Sequence, residues 1–439
     1  MRQVWVVAAA VVAMAVGAVA ASGAARDGSA STGATKGYIV VLKDDVASVD
    51  ATVDQMGALM GITTTHRYYY ALKGFSAGLT QAQVDGLRAD PSVQFVSPDQ
   101  VGSIVAADGV IKAGETVPPG IQRIESAVGG KIEAKSSVSV EVNDTGVDLN
   151  HTDLNTRDGV NCINPGQPAQ DDFGHGTHVA GIIAAKNQGA GVVGVSPNTR
   201  IIAAKWLDSS GNGTESGAVC SIDWTVQHAA QLNIGVVNMS WRFFSGGDDG
   251  NCGNTNGDAL HKAICALANA GVVPVAAAGN ETNDYSQYRP ASYDEVLTVT
   301  AMADTDGKPG GNGPAPSCFG GNLDDKYASF SSFAGANGSD TGHTVAGPGV
   351  CVLSTRLGGG TTVLSGTSMA SPHVAGTVAN CIGHRNNPGP CAGMTPAQVI
   401  QKIRGDAAAK ARRYGFLGDP RHTPPAGRYY GFLVSNLGY

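Results

Sequence analysis

The sequence predicts an α/β protein: a parallel central sheet flanked by helices, preceded by a small α+β domain. Three observations carry this reading. Beyond residue 118, short apolar, β-branched runs alternate with Ala-rich helical stretches, as expected of a sheet covered on both faces. Between residues 36 and 100 the alternation tightens into a separate pattern of strands and two helices. The remaining length suffices for one large core, and no internal repeat divides it.

The elements follow in order. Residues 1–20 carry one early cation, Arg2, then a Val/Ala run ending in Ala18-Val19-Ala20, the pattern of a signal peptide with a small-residue cleavage site. Residues 21–35 are Gly/Ser/Ala-rich and read as a flexible segment. Strands are expected at 37–43, 65–71, 74–79 and 93–99, with a helix over 49–60 and a second over 80–87 capped by Thr80. Residues 101–117 form a Gly/Pro-containing linker where processing is expected. In 118–439, strands are expected at 138–143, 201–205, 236–240, 272–276 and 296–299, and helices at 219–230 and 259–270. The aromatic, basic tail from residue 406 is expected to close the edge of this domain.

A net charge of −7 on 439 residues is mild and points to no nucleic-acid partner. After the leader, no segment is long and apolar enough to span a bilayer, so no membrane association is expected once it is removed. The eight cysteines are even in number and form no C-x-x-C pair, which in an exported chain favours disulfides over metal ligation. Loop closure and local context suggest Cys252 with Cys265, Cys318 with Cys351 and Cys381 with Cys391, leaving Cys162 for Cys220.

Three stretches hold reactive side chains in glycine-framed settings. Gly366-Thr367-Ser368-Met369-Ala370-Ser371-Pro372-His373-Val374-Ala375-Gly376 places Ser368 between a tight turn and a helix start, with Pro372 expected in the first turn. A hydroxyl nucleophile needs a base, and the base needs an orienting acid. His175 lies between Gly174 and Gly176, just before an apolar run over 179–185. Asp144 follows a β-rich run and meets the turn Thr145-Gly146, at the sheet edge where open α/β folds do their chemistry. His178 rivals His175, and residue physics alone does not separate them. His373 reads as a packed helix residue.

These motifs resemble those of the subtilisin-type serine proteases, in that family's chain order Asp, His, Ser. The resemblance implies Asp144 as the orienting carboxylate, His175 as the general base and Ser368 as the nucleophile. It also favours His175 over His178, because the family's base is the first of a His-Gly-Thr-His pair. Val275-Ala276-Ala277-Ala278-Gly279-Asn280 matches the strand end bearing the family's oxyanion-hole asparagine, which implies Asn280. The expected protein is a secreted, monomeric serine endopeptidase on a subtilisin-like fold, cleaving polypeptide substrates and made as a self-processing zymogen. Residues 36–100 resemble the family's inhibitor-type propeptide, an intramolecular inhibitor and chaperone. The chemistry needs no cofactor and no catalytic metal. Asp148, Asp153, Asp171, Asp172, Asp304 and Asp306 are oxygen donors for at most a structural calcium.

Gly211-Asn212-Gly213 matches the segment on one side of the family's substrate cleft, and Asn238-Met239-Ser240-Trp241 opens the segment on the other. Gly211, Asn212, Gly213, Ser240, Trp241 and Arg242 are therefore expected at the substrate. Trp241-Arg242-Phe243-Phe244 departs from the family's Leu-Gly-Gly. Either the loop is realigned by an insertion before Ser245-Gly246-Gly247, or the pocket narrows and gains a cation. Glu141 and Asn143 depart again, as polar residues in a central strand. Glu141 is expected to pair with a buried partner or to face a polar end of the sheet. Asn143 and Asn280 each begin an N-x-T triplet but read as strand-end residues. A lipase or esterase would carry G-x-S-x-G and the order Ser, acid, His; Gly366-Thr367-Ser368-Met369-Ala370 and the order found here argue against both.

Overall fold

The computed structural model describes residues 35–439, except 44, 70–72, 99–110, 133–135 and 385–386. The expected signal peptide, nearly all of the flexible segment and residues 101–110 of the linker lie outside the described residues. The chain divides into two compact units, parting after Val105.

The smaller unit is a four-stranded antiparallel sheet in the order Thr64–Tyr68, Gly74–Leu79, Lys36–Leu42, Val93–Pro98. Helices Val49–Met60 and Gln81–Ala89 press Val53, Met56, Val84 and Leu87 onto Val40, Leu42, Phe75 and Leu79. Ser48 caps the first helix by accepting the Ala51 amide, and Thr80 with Gln83 forms a capping box on the second.

The larger unit is built on a nine-stranded sheet. Its order is Phe432–Leu433, Thr344–Pro348, Leu297–Ala303, Val273–Ala277, Ile234–Met239, Ser139–Asp144, Arg200–Lys205, Asn155–Asn161, with Lys326–Tyr327 antiparallel beside Leu297–Ala303. All the other pairings are parallel. Alternate residues feed two cores, because side chains of a strand point to opposite faces. Val140, Val142, Val236, Val275 and Val299 join one core with helices His175–Ala184, Thr367–Ile382 and Pro396–Tyr414. Ile202, Val237 and Ala276 join the other with helices Glu215–Leu232 and Ala259–Asn269. The expected strands are all present, displaced by a few residues at their ends. Phe432–Leu433 pairs with Thr344–Pro348, so the tail closes that edge.

Three expectations change. The helix expected over 179–185 begins four residues earlier, at His175 itself. Pro372 is not in the first turn but the sixth residue of Thr367–Ile382. Residues 111–117 of the expected linker belong to the large unit, where Glu115–Thr116 pairs with Gly191–Val192 and Ile111 and Val117 pack on its core. The four disulfides are Cys162–Cys220, Cys252–Cys265, Cys318–Cys351 and Cys381–Cys391.

Glu141 resolves toward a buried partner, though not a cation. Period two turns Glu141 and Asn143 away from the Val140 and Val142 core and toward helix Glu215–Leu232. There Glu141 accepts the Thr225 hydroxyl at 2.6 Å and the Asn143 amide at 3.1 Å, and Asn143 also donates to Ser221. Burial pushes the Glu141 carboxyl up to about 7, against the opposing pull of these donors.

Candidate active site

The site forms where the C-terminal edge of the sheet meets the N-termini of two helices. Asp144, fully buried, accepts the Thr145 amide at 2.7 Å, and His175 Nδ1 lies 2.8 and 3.0 Å from its two oxygens. That contact places the proton on Nδ1 and leaves Nε2 as the basic nitrogen. The helix can approach so closely only with glycine at 176, where a Cβ would lie 2.0 Å from the Gly146 carbonyl oxygen. Burial lowers the His175 pKa, but the charge and hydrogen bond of Asp144 outweigh it, so it lies above the ordinary 6.5.

The rival histidines sit differently. His178 Nε2 meets the Val352 and Thr362 carbonyls at 3.1 and 3.2 Å, and His373 Nδ1 meets the Met369 carbonyl at 2.8 Å. Burial pushes both down to about 4. Both are therefore neutral at ordinary pH.

Ser368 is the second residue of its helix, and Pro372 explains its surroundings. Without an N–H at Pro372, the Ser368 carbonyl loses its helical partner. The Ser240 hydroxyl fills that role at 2.9 Å, and Ser368 Oγ in turn donates to the Ser240 carbonyl at 3.1 Å. The Ser368 hydroxyl is thus directed at Ser240 rather than His175, an open arrangement common before substrate binds. Asn280 Oδ1 accepts the amide and hydroxyl of Thr367 at 2.8 and 2.9 Å, and Thr367 Oγ1 accepts the Gly279 amide at 3.1 Å. This fixes the amide's orientation and leaves Asn280 Nδ2 as a donor beside Gly366. His175, Ser368 and Asn280 line one cavity of about 570 Å³.

A second cavity, about 370 Å³, brings Gly211, Asn212, Gly213, Ser240, Trp241 and Arg242 together around His175. Within 241–244 the side chains alternate. Trp241 turns inward, edge-on to Trp206 with centroids 4.7 Å apart, and donates to the Asn143 carbonyl at 2.8 Å. Trp241 therefore meets the cleft as buried wall, and Phe243 likewise packs inward on Trp206 and Trp241. Arg242 turns outward, lies 4.2 Å from the Phe244 ring centroid and pairs with Glu281. This segment thus carries a cation, and an acid holds it.

The acidic candidates for calcium separate. Asp171 accepts from Thr145, Phe173, Gly174 and Thr177, tying the start of the His175 helix to the Asp144 turn. Its position upstream of a helix start was the signal for this capping role. Asp172 pairs with Lys205, while Asp148 and Asp153 accept nearby amides. Asp304 and Asp306 instead converge with Asp324 to within 4.8 Å. The buried Asp304 Oδ1 has no hydrogen bond but faces the buried Arg123 guanidinium at 3.8 Å, so one cation already stands beside this all-oxygen set. Thr367 and Glu281 were missed, because only the folded chain brings them to Asn280 and Arg242.

Residues 135–419 match the model of the subtilase family, and residues 37–104 match that of the peptidase inhibitor I9 family. Subtilisin-like protease 5 of Arthroderma benhamiae is 31% identical over 390 residues, covering 83% of this chain and 86% of that protein. Subtilisin amylosacchariticus of Bacillus subtilis subsp. amylosacchariticus is 33% identical over 349 residues, covering 78% of this chain and 79% of that protein. The solved structure of a cold-adapted subtilisin-like serine proteinase superposes with a TM-score of 0.54 at 26% identity, covering 74% of this chain and 100% of that one. The chain belongs to the subtilase family: it is a subtilisin-like serine endopeptidase preceded by an I9-type propeptide domain.

Proposed function

We propose that Ser368, His175 and Asp144 form the catalytic triad of a secreted, self-processing endopeptidase. The observation that carries this reading is the Asp144–His175 contact at 2.8 Å, with Ser368 and Asn280 lining the same cavity as the imidazole. On substrate binding, Ser368 Oγ leaves the Ser240 carbonyl and attacks the peptide carbonyl while His175 Nε2 takes its proton. The imidazolium, stabilised by Asp144, gives that proton to the leaving amine. Asn280 Nδ2 and the Ser368 amide stabilise the oxyanion, and water then releases the acyl group by the same steps in reverse.

An extended substrate chain lies between Gly211–Asn212–Gly213 and Ser240–Trp241–Arg242, held mainly through its backbone. The domains are taken as 1–20 signal peptide, 36–100 propeptide and a catalytic domain that runs to 439 and takes in residues 111–117 of the expected linker. The leader and the four disulfides support export. Catalysis needs no cofactor, and the Asp304, Asp306 and Asp324 cluster is the position offered for a structural calcium.

Expression of full-length Ser368→Ala is the test. It is expected to accumulate as an uncleaved precursor without activity on casein. A Ser368→Ala protein that still matures and digests casein would overturn the assignment.

A further inference from the structure

A second polar centre lies outside the catalytic edge, around helix Ala259–Asn269. His261 is fully buried, and its ring stacks on Tyr293 with centroids 4.0 Å apart. Asp258 caps the helix by accepting the Leu260 and His261 amides, so the backbone that carries the imidazole is held in place.

Each ring nitrogen faces acid. Nε2 lies 3.0 Å from Glu295 Oε2 and 3.8 Å from Asp248 Oδ1. Nδ1 lies 3.2 Å from Asp249 Oδ1. Asp249 is itself immobilised by the amides of Asn251, Gly253, Thr255 and Asn256. Asp248 is anchored by accepting the amides of Gly250 and Asp294. Three carboxylates thus face one imidazole, and even a protonated ring leaves two negative charges uncompensated.

We propose that His261 Nε2, Glu295 and Asp248 form a structural site for a divalent transition ion of the zinc type, with the Asp249 carboxylate adding negative charge beside the opposite ring nitrogen. Ligands about 2.0–2.1 Å from a tetrahedral zinc stand roughly 3.3 Å from one another, and the observed 3.0 and 3.8 Å bracket that spacing. An imidazole with two carboxylates suits zinc better than calcium, which prefers oxygen alone. Access is available, since the Asp248 and Glu295 side chains are 17% and 31% exposed. The fourth position is left to water.

An occupied site would tie the 245–258 loop, which continues the cleft wall at 241–244, to residues 294–295 and to the helix.

The site rests on no part of the catalytic reading and is tested without activity. Untagged full-length Ser368→Ala protein, stripped with chelator, is titrated with Zn2+ alone by equilibrium dialysis and with Co2+ by visible absorption. One equivalent is expected to bind, with a Co2+ spectrum of tetrahedral intensity. Glu295→Gln and Asp248→Asn are each expected to weaken binding by at least about 100-fold, the upper end of the loss from disturbing even an outer-shell partner. Asp304→Asn is expected to leave it unchanged. Stoichiometric binding that survives Glu295→Gln and Asp248→Asn overturns the proposal, as does the absence of stoichiometric binding. Because Glu295 is partly exposed, its substitution tests the site even if His261→Asn does not fold.

Discussion

One strand carries two carboxylates under opposite conditions. At its end, Asp144 meets a histidine, and its charge is what raises the His175 pKa. In its middle, Glu141 meets only a hydroxyl and an amide, and burial drives its carboxyl toward neutrality. The two lie three residues apart. The contrast teaches that the edge of a parallel sheet supports a charge by bringing a counter-charge to it, whereas the interior supports a carboxyl by letting it keep its proton.

The largest effect is expected from breaking the edge. Asp144→Asn keeps the shape but offers His175 the wrong hydrogen-bonding partner, and turnover on a peptide substrate should fall about 10⁴-fold, as in triads of this kind. The pH profile should move as well. If His175 is the proposed base, catalysis needs it neutral, and the wild-type rate is expected to rise with pH through a pKa above 6.5. Removing the Asp144 charge should shift that limb to lower pH. A profile left in place by Asp144→Asn would mean that Asp144 does not set the His175 pKa.

The interior predicts a smaller, opposite response. Glu141 titrates near 7 when folded and near its ordinary 4.5 when unfolded, so between those values the native state binds the extra proton. Stability should therefore fall as pH rises from about 4.5 to 7, by about 3 kcal/mol in total, and level off above. Glu141→Gln can accept from Asn143 and donate to the Thr225 hydroxyl, whose own hydrogen then goes to the Ser221 carbonyl. It should match the wild type near pH 4 and exceed it by about that amount at pH 8, measured as denaturant midpoints in the Ser368→Ala background. Equal pH slopes for the two proteins would refute this account of Glu141.

What was legible in the sequence follows the same division. The edge could be read because its chemistry requires particular small residues beside particular reactive ones: Gly176 must admit the Gly146 carbonyl, and His175 must follow Gly174. The two-faced sheet was legible from continuous apolar runs. The interior network was not, since nothing in Glu141 or Asn143 says that Ser221 and Thr225 will lie one helical turn apart opposite them. Pro372 misled because a proline usually marks a first turn, whereas here the Ser240 hydroxyl satisfies the carbonyl that it orphans. Boundaries slipped by a few residues where caps, rather than periodicity, decide them.

The cleft wall offers the finest test, because there a charge at the edge is matched by a side chain rather than by the backbone. Arg242 and Glu281 are each less than a third exposed and neutralise one another. Glu281→Gln frees the Arg242 charge in the cavity it shares with Gly211, Asn212, Gly213 and Ser240, where a substrate side chain is proposed to lie. The ratio of kcat/KM for peptides with an acidic residue there over those with a neutral isostere should rise about tenfold, equivalent to ~1.4 kcal/mol. Raising ionic strength should shrink the gain, since the freed guanidinium is partly solvated. If the ratio stays constant, the Arg242 side chain lies outside the reach of that substrate residue, and the wall selects by the shape of Phe244 and the buried Trp241 instead.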